Sequence, residues 1–151
     1  MAHPTPPGAA TARTGSAPGT HQWIALVIGA VFVLVGLAGF LVTGFDGFAE
    51  HDHERTLLGF GVNPLHNLVH LLIGGLGLVL WRTPDRARTF GWILFVAYGL
   101  TFVYGLLVAG DDAANVLNIN GADNGLHIAS ALAGLAIALW PRTGDPARAA
   151  R

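Results

Sequence analysis

From Trp23 to Val42 the chain runs twenty residues without one charged or polar side chain. Periodicity alone also allows four buried helices of a soluble bundle, but a bundle helix needs a polar face toward water, which disfavours that alternative. About 20 apolar residues at 1.5 Å each cross a hydrocarbon core of about 30 Å. Three more windows meet the same criterion: Pro64–Trp81, Phe90–Ala109 and Asn124–Trp140. The expectation is an all-α fold, a four-helix transmembrane bundle over residues 23–140. Composition agrees, with 52% hydrophobic and only 11% charged residues against about 25% charged in soluble domains.

The flanks carry different expectations. Residues 1–22 are rich in Pro, Gly, Ala, Ser and Thr, too little apolar surface to offset ordering, and are expected to form a disordered tail. The apolar core that follows is longer than a signal peptide's, so it is read as a retained helix. Residues 141–151 form a short second tail. There is no cysteine, which excludes disulfides, Fe–S clusters and thiolate metal sites. No basic block suggests a nucleic-acid partner.

Arginine placement sets a direction. Arg13, Arg82, Arg86, Arg88, Arg142, Arg148 and Arg151 fall on one side of the four spans, leaving Arg55 on the other. Basic residues collect in cytoplasmic loops, so the expectation is a multi-pass protein of the cell membrane with both termini cytoplasmic. Asp46, Glu50, Asp52, Glu54, Asp111, Asp112 and Asp123 make the opposite face acidic.

The second and fourth spans share a pattern. "NPLHNLVHLLIGGLGLVLWRTPDRAR" from Asn63 and "NGLHIASALAGLAIALWPRTGDPAR" from Asn124 both begin N-x-L-H and end in Trp before an Arg, Thr, Pro, Asp segment. This predicts two parallel two-helix repeats. Asn63 before Pro64 reads as a helix cap, and Asn124 before Gly125 as its counterpart.

Those caps bring histidines with them. His66 and His70 are four apart and share a helix face, which continues through Gly74 and Gly77. The His127 face continues through Ser130, Ala131, Gly134 and Ala138. Small residues allow close helix approach, so helices two and four are expected to pack through these stripes. Ala97, Thr101, Gly105 and Ala109 give helix three its own stripe. His66, His70 and His127 would then face one another near the outer leaflet, with Asn67, Tyr104 and Ser130 in one polar pocket. Polar groups inside a membrane are functional candidates, and three readings stand. The cluster of His66, His70, His127, Asn63, Asn67, Tyr104 and Asn124 is structural hydrogen-bonding glue; or the three imidazoles hold a metal, or haem between two helices; or they relay protons. In the outer loop, His51 and His53 lie among Glu50, Asp52 and Glu54, a weak cation collector or a solvated charged loop.

"LLGFGVNPLHNLVHLLIGGLGL" and "NGADNGLHIASALAGL", with their N-P-L-H-N-x-V-H and A-D-N-x-L-H strings, resemble a family of small bacterial four-helix membrane proteins, domain of unknown function 4383, across Trp23–Trp140. The resemblance implies the four-helix membrane fold and no activity. No catalytic array is legible, so an enzyme ranks last. The leading expectation is a non-enzymatic accessory or interaction protein whose partners are the lipid bilayer and a second copy or another membrane protein. The alternative is a metal- or haem-binding protein of redox or transport type using His66, His70 and His127.

Overall fold

In a computed structural model that describes residues 17–142, the chain forms four helices: α1 (Thr20–Thr43), α2 (Pro64–Leu80), α3 (Pro84–Leu107) and α4 (Gly121–Ala138). A two-stranded antiparallel hairpin, β1 (Thr56–Leu57) and β2 (Phe60–Gly61), lies in the α1–α2 loop. The expected tails at 1–16 and 143–151 lie outside the described residues. Thr20–Gln22, expected in the N-terminal tail, are instead the first turn of α1, held where Gly19 N–H donates to the Gln22 side-chain oxygen at 2.8 Å.

Two boundaries differ instructively from the sequence expectation. α3 starts at Pro84 rather than Phe90, because Thr83 caps it by accepting from Arg86 N–H and Pro84 takes the first helical position. The arginine segment is therefore mostly helical. α4 starts at Gly121 because Asn120, not Asn124, is its cap. The Asn120 side chain accepts from Ala122 and Asp123 N–H, and Asp123 reaches back to Asn120 N–H at 2.9 Å. A carboxylate in the first turn completes a capping box that Asn124 could not form. Asn63 caps α2 as expected, accepting from His66 N–H at 2.9 Å.

α1 and α3, 24 residues each, are long and apolar enough to cross a membrane, with mean hydropathy 2.8 and 1.8 over their best windows. α2 and α4 are shorter, at 17 and 18 residues. The outward faces are apolar throughout: Val27, Val31, Leu34 and Leu41 on α1, Leu72 and Val79 on α2, Val96, Leu100 and Leu107 on α3, Leu132 on α4. Leu41 is 89% exposed and Leu34 65%. Such a jacket is stable in lipid and would aggregate in water. This is an all-α membrane protein.

Packing follows hairpins. α1 lies along α2 and α3 along α4, the two pairs meet more lightly, and α2 and α4 do not approach along their backbones. The expected seam between α2 and α4 is thus replaced by two others. A Cβ on Gly74 would lie 2.7 Å from Val33 N, and one on Gly29 would lie 2.9 Å from Gly74 O. In the other hairpin a Cβ on Gly134 would meet Phe95 N at 2.6 Å, and one on Gly91 would meet Gly134 O at 2.7 Å. Each glycine lets the backbone of its own hairpin partner close in. A small-residue stripe shows that a helix has a close neighbour and does not say which helix it is. Of the α3 stripe, only Gly105 is fully buried, against the Asn124 side chain. Phe32, Phe90, Leu94, Tyr98 and Ile137 fill the middle.

At the end bearing Trp81 and Trp140, each hairpin satisfies its terminal carbonyls from the preceding helix. Gln22 Nε2 donates to Trp81 O at 3.0 Å; Arg88 Nη2 donates to Trp140 O at 2.8 Å, and its Nη1 to Asp85. Helix-end carbonyls need such partners where water is scarce.

Candidate functional site

At the opposite end the N-termini of α2 and α4 meet the two loops, and the chain's buried polar groups concentrate there. The frame is built by asparagines. Asn118, with φ of 54°, accepts from Asp52 N–H and donates to Asp52 O, Arg55 O and Val62 O at 3.0–3.3 Å. Asparagine is among the few residues other than glycine that adopt this left-handed backbone readily. Asn63 Nδ2 donates to Glu50 O and Val116 O; Asn115 exchanges two bonds with the backbone of Ile119; Asn120 Nδ2 reaches Gly59 O. The loops are thereby stitched into one lid over the helix ends. Gly61 is required within it, since a Cβ there would lie 2.1 Å from Asn118 O.

Beneath the lid, His66 from α2 and His127 from α4 face each other with ring centroids 5.7 Å apart, and His70 lies 4.6 Å from His66. The three expected imidazoles therefore converge, across a gap that α2 and α4 do not close by backbone contact. Tyr98, from α3, completes the wall at 5.4 Å from His127 and 6.4 Å from His70, with Phe32 5.3 Å from His70.

Asp123, expected as part of the acidic outer face, is a further member of the cluster. Its Oδ2 accepts from Gly61 N–H at 2.8 Å and from Asn120 N–H at 2.9 Å, and the residue is 1% exposed. Starting α4 at Gly121 turns this carboxylate inward. One ligand atom each from His66, Asp123 and His127 lie within 4.8 Å of one another. His66 and His127 are 3% and 1% exposed, and Nδ1 of both, both nitrogens of His70 and the Tyr98 hydroxyl are buried without a hydrogen-bond partner. Unpaired buried polar groups cost roughly 1–3 kcal/mol each, so such a concentration requires compensation.

Three expected members of the pocket are elsewhere. Tyr104 lies one and a half turns beyond Tyr98 and turns outward to the lid, donating to Ala114 O and accepting from Val116 N–H. The shared pocket expected for it is lined by Tyr98 instead. Asn67 is rotated toward α1, donating to Thr43 Oγ1 at 3.0 Å over the gap left by Gly39. Asn124 packs on Gly105 of α3. Ser130 is buried one turn below His127.

In the outer loops His51 Nε2 lies 3.3 Å and His53 Nε2 3.8 Å from Asp112 Oδ1, so the two-histidine loop motif meets a carboxylate from the α3–α4 loop.

Comparison with known proteins gives one curated relative, the CASP-like protein 3A1 of Picea sitchensis, 31% identical over 88 residues, 58% of this chain. The match spans 42% of that protein's length. No solved structure matches. The family comparison covers nearly all of the helical domain, residues 22–140, and the chain belongs to the family described as Domain of unknown function (DUF4383).

Proposed function

We propose that the protein is a non-enzymatic, multi-pass membrane protein that binds a divalent transition metal beneath its outer lid, with His66, His127 and Asp123 as ligands and His70 alongside. The supporting observation is the convergence of their ligand atoms within 4.8 Å in a buried site where Nδ1 of His66 and of His127 and both nitrogens of His70 lack hydrogen-bond partners. Two imidazoles and one carboxylate are a zinc-type donor set, and three protein ligands leave a fourth position open. His70 can fill it from the same face of α2. This replaces the three-histidine set with one in which a carboxylate offsets part of the ion's charge. A compact ion suits converging ligand atoms better than haem, which takes axial rings from opposite sides.

An ion here would tie α2 to α4, the one pair among the four described helices whose backbones do not approach each other. The bound metal would therefore hold the two hairpins together. Four helices leave little room for a solute pathway, so the bundle is better suited to act through a second copy or a membrane-protein partner. Arg82, Arg86, Arg88 and Arg142 gather at the Trp81/Trp140 end, which supports a cytoplasmic orientation of that end and of both termini. The glycine seams Gly29–Gly74 and Gly91–Gly134, together with the two capped tryptophan carbonyls, support descent of the hairpins from one duplicated unit.

The test is metal content of the full chain purified in mild detergent, measured by mass spectrometry with and without zinc. His127→Ala and Asp123→Asn should each lose the buried ion, and chelation should lower the thermal stability of the wild type more than that of His127→Ala. Wild-type protein that binds no ion at the buried cluster, with a melting temperature indifferent to chelator, refutes the proposal.

A further inference from the structure

We propose a second divalent-cation site on the outer surface, formed by His51, His53 and Asp112, which clips the α1–α2 loop to the α3–α4 loop. It shares no residue with the buried cluster. The His51 and His53 rings lie 4.4 Å apart, nearly perpendicular. Both present Nε2 to the same oxygen of a residue some sixty positions away in sequence.

Hydrogen bonding accounts for only part of this arrangement. The 3.3 Å contact of His51 is long for a hydrogen bond, and the 3.8 Å contact of His53 is beyond one. Tetrahedral zinc with ligands at about 2.0–2.2 Å separates its donor atoms by about 3.4 Å, and the two distances bracket that value. The three donor atoms all lie within 4.8 Å of one another. The side chains of His53 and Asp112 are 75% and 71% exposed while that of His51 is 8%, so the site has one fixed wall and one open to water. A recess of about 270 Å³ bordered by these residues, Asn115 and Asn124 gives water access to the remaining coordination position. Asp111, by accepting from Ala114 N–H at 3.1 Å, fixes the turn that presents Asp112. Asp52 is paired with Arg55 at 3.1 Å, while Glu50, Glu54 and Asp111 in the same loops add negative charge that concentrates cations there.

The experiment is zinc titration of the full, chelator-stripped chain in detergent, counting bound ions in the wild type, His53→Ala, Asp112→Asn and His127→Ala. His53 and Asp112 are exposed, so their substitution should leave helicity unchanged, which circular dichroism checks. The expected result is that His53→Ala and Asp112→Asn each lose the same ion, and that His127→Ala retains it. X-ray absorption of zinc-loaded His127→Ala should show mixed nitrogen and oxygen ligands. Zinc stoichiometry and affinity in His53→Ala and Asp112→Asn equal to wild type overturn the proposal. A single wild-type ion removed only by His127→Ala also overturns it while leaving the buried site standing.

Discussion

Replacing Asn118 by Ala should release the lid from the helix ends. The side chain makes four contacts of 3.0–3.3 Å, three of them from Nδ2, which has only two hydrogens to share. Three effective bonds at a net of roughly 1 kcal/mol each give about 3 kcal/mol. Alanine at φ of 54° adds the left-handed penalty of about 1–2 kcal/mol. The total is about 4–5 kcal/mol, centred on the loop rather than the helices. Asn118→Gly separates the parts, because glycine adopts the same backbone freely and loses only the side-chain bonds. Hydrogen exchange at Asp52, whose N–H is bonded to Asn118 Oδ1, is the assay. A loss of 3 kcal/mol in Asn118→Gly corresponds to exchange faster by roughly 10²-fold, with Asn118→Ala faster still. Asp52 protection in Asn118→Gly within a factor of about 2 of wild type would refute the assignment of the lid to this side chain.

Gly74→Ala and Gly134→Ala should each destabilise by about 1–3 kcal/mol through overpacking against the partner backbone, whereas Gly75→Ala, with nothing within 4 Å, should be neutral in the same detergent unfolding assay. Arg88→Ala should cost about 1.5–3 kcal/mol by stripping the half-buried Trp140 carbonyl of a charged, buried donor; Arg88→Lys should recover only part of it, since an ammonium cannot supply both the Nε and Nη2 bonds. Tyr104→Phe should leave the helices intact and raise exchange at the Val116 N–H, which bonds to the phenol oxygen at 2.9 Å. Tyr98→Phe, which removes a hydroxyl without a hydrogen-bond partner from a buried wall, should be neutral or stabilising by thermal melting.

The asparagines show where local reading works. Asn63 before Pro64 is a cap in any context, because the N–H that its side-chain oxygen accepts from, that of His66, lies three residues on. At the other end of the chain, Asn120 and Asn124 both precede helix-compatible residues. The carboxylate at Asp123 favours the earlier start through a short-range pattern, N-x-x-D, that was available in the sequence. Reading that pattern would have placed Asp123 inside the helix. Asn115 and Asn118 carried no such signal, since their partners are Ile119 nearby and Asp52 and Val62 across the lid.

The amino-acid sequence by itself determined four helices, a lipid-facing surface and three histidines at one end, because hydropathy, chain reach and helical period act along the chain. Only the tertiary structure decided which glycine faced which backbone, that Tyr98 rather than Tyr104 lines the site, and that Asp123 and Asp112 join the histidines. A helix face fixes which residues point together but not the element they point toward. That choice follows from pairing α1 with α2 and α3 with α4, and from loops closing over both pairs through contacts about sixty residues apart in sequence.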